Sequence, residues 1–142
     1  MNYSPGGSII FGTDSMNLNS IIFFDKHPDA MPLYEAFEDA VTKLYPDAEI
    51  RVQKSQISFY DVHMFACVSF ARVKKKKELP EPYLVVTLGM PYPLESSRIA
   101  VKTEPYPGRW TTHIVIGDTG DIDDELICWL KEAHDFAKNM CR

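Results

Sequence analysis

Arg98, Lys102, Arg109 and His113 lie on two neighbouring stretches in which apolar and polar residues alternate. Ile99, Val101 and Thr103 alternate with Arg98, Ala100 and Lys102, and Trp110, Thr112, Ile114 and Ile116 alternate with Arg109, Thr111, His113 and Val115. Side chains two apart share one face of a strand. If Ile57, Ile99, Val101, Trp110, Thr112 and Ile114 face a core, the opposite face collects Lys54, Ser58, Tyr60, Arg98, Lys102, Arg109 and His113. Such a wall would suit an anionic ligand. Arginine offers a bidentate fork to phosphate or carboxylate, and histidine changes charge near neutral pH. A half-solvated antiparallel sheet shows polar residues outward in any case, and Glu104 and Asp61 are close enough to neutralise some of these cations.

Other chemistries find less support. Lys74-Lys75-Lys76-Lys77 stands between two strands, before Glu78, Pro80, Glu81 and Pro82, and reads as a solvated hairpin tip. No aromatic residue interleaves it to stack on bases. His27, His63, His113 and His134 have no metal-ligand spacing, and Cys67, Cys128 and Cys141 form neither a CxxC nor a disulfide framework. Cys67 and His113 could meet across neighbouring strands, but strict alternation pairs Cys67 with Phe65 and puts His113 on the polar side. No GxSxG elbow is present, and neither Gly89-Met90-Pro91 nor Gly117-Asp118-Thr119-Gly120 has the lysine of a phosphate loop. The acids from Asp118 to Glu125 lack calcium-loop order. No catalytic residue, metal or cofactor is expected.

The elements that must position these residues follow from the periods. Residues 19–24 can form a short helix that stops before Pro28, and Leu33, Phe37, Ala40 or Val41, and Leu44 recur at helical spacing before Pro46. From Glu49 to Ile116 the period is two: Ile57/Phe59, Phe65–Phe70, Leu84/Val86/Leu88, Ile99–Thr103 and Arg109–Ile116. The short, turn-rich spacers favour an antiparallel meander of about five strands, because a parallel crossover needs a dozen or more residues. A last helix carries an apolar stripe at Ile122, Leu126, Leu130, Ala133 and Ala137, with Asp121 as its cap and His134 on its flank. The expected fold is α+β in two layers, with N- and C-terminal helices on one sheet face.

The chain has 142 residues, 45% of them apolar and 25% charged, which fits one domain able to bury a core. Residues 1–17 read as a flexible arm and 18–142 as that domain. A net charge of −5 and a pI near 5.3 argue against broad nucleic-acid binding, although a local basic face can exist within an acidic whole. No apolar run is long enough to span a membrane, the start lacks a signal-peptide pattern, and the scattered cysteines suit a reducing cytoplasm.

Several segments together resemble a bacterial family, domain-of-unknown-function family 5655. They are Phe23-Phe24-Asp25-Lys26-His27-Pro28, Leu33-Tyr34, Lys54-Ser55-Gln56-Ile57-Ser58-Phe59, Phe65-Ala66, His113-Ile114-Val115-Ile116 and Asp123-Asp124-Glu125-Leu126 with Trp129-Leu130 and Glu132-Ala133. The resemblance covers roughly residues 19–138 and implies an α+β domain, cytoplasmic, with no established activity. In its pattern a lysine at Lys54, an arginine at Arg98 and a histidine at His113 recur. The position before that histidine is often a second histidine, here Thr112, and His63 stands where a basic residue is frequent.

These readings favour a non-catalytic module that binds an anionic ligand (phosphate, nucleotide or nucleic acid) on its open sheet face through Lys54, Tyr60, Arg98, Lys102, Arg109 and His113. The alternative is a protein-interaction or homodimer module using Tyr60, Tyr83 and Val85 of that face or an edge strand. An enzyme with His113 as general base comes third.

Overall fold

The structure is a computed structural model that describes residues 14–139. Residues 1–13 of the expected arm lie outside the described residues. Helix α1 spans Asp14–Phe24, and a 3-10 turn over Pro28–Ala30 leads into α2, Met31–Leu44. Six strands follow: β1 Glu49–Val52, β2 Gln56–Asp61, β3 His63–Ser69, β4 Leu84–Met90, β5 Ile99–Tyr106 and β6 Arg109–Ile116. Helix α3, Asp124–Lys138, closes the described chain. All strand pairs are antiparallel, in the order β1-β2-β3-β4-β6-β5. The α+β class holds, with six strands where about five were expected. The connection is not a plain meander, because β6 inserts between β4 and β5.

One face of the sheet carries the helices. Ile57, Phe59, Ala66, Val68, Leu84, Val86, Leu88, Ile114 and Ile116 are buried there with Phe23 and Phe24 of α1, Phe37 and Val41 of α2, and Leu126, Leu130 and Ala133 of α3. Phe37 meets Phe59 edge to face at 5.6 Å, a geometry worth about 1 kcal/mol beyond the area it buries. Among the described residues, no helix is long and apolar enough to cross a membrane.

Two β-bulges decide which side chains reach the other face. On β3, Phe59 pairs with Ala66 and Tyr60 with Met64, so Phe65 is an extra residue. Phe65 therefore turns into the core with Ala66, and Cys67 is left facing away from the helices. On β5, Ile99 pairs with Ile114 and Val101 with His113, so Ala100 is extra. Strict alternation fails at that point. Val101 goes to the helix-free face, and Lys102 goes opposite Thr112, which is fully buried on the helix face.

The start of α3 also differs from the sequence expectation. Asp123 caps the helix, its carboxylate accepting from Leu126 N at 3.0 Å. Asp121 instead completes a capping box with Asp118 around the 3-10 turn Thr119–Asp121. His134, expected on the helix flank, is buried: its ring stacks on Tyr45 at 3.7 Å and its Nε2 donates to Asp61 Oδ2 at 2.6 Å.

Candidate ligand cleft and the helix-free sheet face

The residues expected to form one cationic wall are dispersed by the fold. Arg98 lies on the helix side, where Nη1 donates to Asp123 Oδ1 at 2.9 Å and Glu125 Oε1 at 3.0 Å. Its Nη2 donates to the carbonyl of Asp121 at 2.7 Å. Lys102 donates to Leu94 O and to Glu95 Oε2, both at 3.0 Å. Arg98 thus clamps the start of α3, and Lys102 holds the β4–β5 connection. Neither faces the helix-free side.

Tyr60, Arg109 and His113 do stand on the helix-free face, but apart. Arg109 is four residues before His113, roughly 13 Å along the strand. Tyr60 is three strands from His113, on the order of 14 Å at ordinary strand spacing. The Tyr60 ring already carries the Arg51 guanidinium, 3.8 Å from its centre, and Arg51 is paired with Glu49 at 2.8 Å. Tyr83 and Val85, offered above as exposed interface residues, are buried.

The pairing registers instead draw a row of small polar groups across this face: Ser58 opposite Cys67, Cys67 opposite Thr87, and Thr87 opposite His113. The Thr87 hydroxyl lies 2.8 Å from His113 Nδ1. Burial pushes the imidazole below its ordinary pKa. Burial also pushes the Cys67 thiol up, against a hydrogen bond from Thr87 that favours the thiolate. Cys67 and His113 therefore share a face, contrary to the sequence argument that separated them. Burial thus disfavours the charged form of each group, the imidazolium of His113 and the thiolate of Cys67.

Lys54 belongs to a different place. Three segments distant in sequence form a cleft of about 580 Å³: Ile22 to His27 at the end of α1, Lys54-Ser55-Gln56 where β1 turns into β2, and Ser69-Phe70-Ala71 at the end of β3. Its lining is mainly apolar, and its aromatic wall is specific. The His27 ring stacks on Phe70 at 4.1 Å and 17°, and Phe23 packs on the same Phe70 at 4.8 Å. Tyr83 meets both His27 and Phe70 edge on, and its hydroxyl donates to the carbonyl of Phe70 at 2.8 Å. Lys26 and Lys54 stand at the cleft with Asp25, Gln56 and Ser69.

What sets Lys26 and Lys54 apart is their place beside the aromatic wall. Arg51, Arg98 and Lys102 each have a carboxylate partner. Among the described residues, Lys26 and Lys54 have none. Lysines without a counter-charge beside apolar ring faces can take an anionic group whose body is flat. Among the described residues, no three His, Cys, Asp or Glu side chains gather as a metal site.

The Domain of unknown function (DUF5655) family profile matches residues 21–137, nearly the whole described fold. The chain belongs to this family. No curated protein and no solved structure matches it. The matched span contains every residue of the cleft. Two of the segments that carried the sequence resemblance, Phe23 to Pro28 and Lys54 to Phe59, meet here. Sequence reasoning picked out Lys54 but missed Lys26, His27 and Phe70. No period links those segments; their only signal was their place in that resemblance.

Proposed function

We propose that this domain is a non-catalytic binding module for an anionic ligand of nucleotide type, seated in the cleft between α1, the β1–β2 turn and the end of β3. The observation that carries the reading is the placement of two unpaired lysines, Lys26 and Lys54, beside the His27–Phe70 stack. Phosphate oxygens would take the ammonium groups, and a planar base would lie against the aromatic wall. Asp25 brings a carboxylate to the same space, which disfavours bare phosphate and favours a ligand that also has an amine to donate. Of the ligand residues expected from sequence, Lys54 stands in the cleft, while Arg98 and Lys102 are spent on internal partners.

Calorimetric titration with nucleoside mono- and triphosphates, inorganic phosphate and aromatic carboxylates tests this. Nucleotides should bind, phosphate alone much more weakly, and a Lys26→Ala, Lys54→Ala double variant should lose about tenfold or more, since a charge-assisted bond is worth roughly 1.5–3 kcal/mol. An absence of binding across the panel, or an unchanged affinity in the double variant, removes the reading.

A second reading, self-association, has one observation in its favour. Leu18 and Ile21 on the outer side of α1 are 57% and 65% exposed, with Ile22 and Met31 also open to solvent. Light scattering at increasing concentration tests it, and a strict monomer rejects it.

A further inference from the structure

The chain that leaves the cleft lining at Ala71 is the most basic stretch of the molecule. Ala71 lines the cleft, and Arg72 and Lys74 to Lys77 follow directly. Among the described residues, none of these cations has a salt-bridge partner, like Lys26 and Lys54 beside them. Chain length bounds their reach: Lys74 is at most about 11 Å from Ala71 and Lys77 at most about 22 Å.

The stretch is built into the fold at both ends. Glu78 N donates to Lys75 O at 2.8 Å and Leu79 N to Lys76 O at 3.2 Å, forming a 3-10 turn over Lys76–Glu78. Pro80 then packs so closely on Gly117 that a Cβ there would fall 2.5 Å from Pro80 Cγ. Tyr83 returns the chain to Phe70, the aromatic wall of the cleft. The stacking residues that the lysine run lacks in sequence are thus supplied in space by His27 and Phe70.

We propose that the ligand of this cleft is single-stranded nucleic acid, with an unpaired base against the His27–Phe70 stack and the backbone continuing along the lysine-rich connection between β3 and β4. This rests on the cleft reading above and extends it from a mononucleotide to a polymer. A path of cations ending at an aromatic platform is the combination by which single strands are held without sequence readout. A duplex offers the platform no free base face. The net charge of −5 places repulsive acids over the rest of the surface, so contact is confined to this end and weakens steeply with salt.

Fluorescence anisotropy of the full chain with labelled oligo-dT and oligo-U, at several salt concentrations, is the test, with a duplex and inorganic polyphosphate as competitors. The oligonucleotides should bind tighter than a mononucleotide, and both competitors should displace them poorly. Replacing Lys74 to Lys77 by glutamine should make the salt dependence shallower by up to about 3 in log–log slope, leaving mononucleotide affinity in the cleft unchanged. His27→Ala should cost roughly tenfold in oligonucleotide affinity and none in polyphosphate affinity. If mononucleotides bind but oligonucleotides bind no tighter, or the glutamine variant keeps the full salt slope, the polymer proposal falls while the cleft stands. If oligonucleotides bind through the lysines with no dependence on Lys54 or His27, both fall. Displacement by polyphosphate as effective as by oligonucleotide also overturns the proposal, because the base would then contribute nothing.

Discussion

The Thr87 hydroxyl lies 2.8 Å from Nδ1 of His113, on the sheet face opposite the core that α2 and α3 cover. Burial holds the imidazole below its ordinary pKa, so the folded protein resists a proton that the unfolded chain accepts near pH 6.5. Below that pH the unfolded state binds more protons, and stability falls as pH drops through the unfolded value toward the folded one. The urea midpoint should therefore decline between about pH 7.5 and pH 5.5. It should decline less in His113→Gln, which keeps a hydrogen-bonding group against Thr87. Parallel declines in the two proteins would show that His113 contributes nothing to the acid sensitivity.

Arg98→Ala separates a structural role from a ligand role at one residue. Its guanidinium satisfies two carboxylates and one carbonyl at the start of α3 and lies 5.7 Å from the centre of the Trp129 ring. Exposed ion pairs contribute little singly, but this side chain is only 22% exposed and bonds a backbone carbonyl as well. A loss of about 1–2 kcal/mol in denaturant unfolding is expected, with nucleotide affinity unchanged. An affinity loss without a stability loss would return Arg98 to the binding residues.

Gly117, the residue after β6, sits directly against Pro80 of the β3–β4 connection. Its α-carbon has no room for a methyl group, since Pro80 Cγ and Cβ would lie 2.5 and 2.7 Å away and proline cannot swing aside. Gly117→Ala should cost roughly 1–3 kcal/mol, in the range of overpacked sites. It should also speed proteolysis within residues 72–81 before global unfolding. Limited trypsin digestion reads this directly, because the connection carries Arg72 and four lysines. A digestion rate equal to the wild type's would mean that the contact holds nothing in place.

How much of this was legible in the sequence depended on whether one extra residue intervened. Ile57 and Phe59, Leu84 to Leu88 and Thr112 to Ile116 keep strict alternation, and their core face was read correctly. At Ala100 and Phe65 a bulge shifts the phase by one residue. Such a shift exchanges the two faces for every residue beyond it, with no mark in composition. Lys102 was therefore placed with His113, and Cys67 apart from it. Arg98 was lost for another reason: its partners lie 25 and 27 positions later, in a helix start whose acids were read only as caps. The cleft joins three segments, 22–27, 54–56 and 69–71, whose proximity comes from the β2–β3 pairing and the α1 docking. Asn19 shows that docking locally, donating to Val52 O at 3.1 Å.

The His134–Asp61 pair ties α3 to the end of β2 at 2.6 Å, yet packing should outweigh it. The ring is stacked on Tyr45 and edge on to Phe65, while Asp61 is 38% exposed and can be solvated without its partner. Nδ1 is buried with no hydrogen bond, Asp135 being 3.7 Å away. His134→Ala should therefore cost roughly 2–3 kcal/mol through the lost rings and the cavity. His134→Phe keeps the stack and removes the orphaned nitrogen, so it should cost less than about 1 kcal/mol. Equal losses in the two variants would assign the stability to the hydrogen bond with Asp61 instead.

Val62 joins β2 to β3 with a φ of 71°, where a branched Cβ crowds the backbone. For an L-residue this region costs about 1–2 kcal/mol, and a β-branched one lies at the upper end. Its side chain is 78% exposed, so almost no packing offsets that cost. Glycine removes the strain but widens the unfolded ensemble, returning about 0.5–1 kcal/mol of the gain. Asparagine tolerates the left-handed region with a smaller entropic penalty. Val62→Asn should therefore stabilise the domain by about 1 kcal/mol and Val62→Gly by somewhat less, both seen as a raised urea midpoint with an unchanged m-value. The cleft lies at the other end of β2 and β3, so nucleotide affinity should not move. A destabilised Val62→Gly would show that the left-handed backbone costs the valine less than the chain entropy that glycine adds.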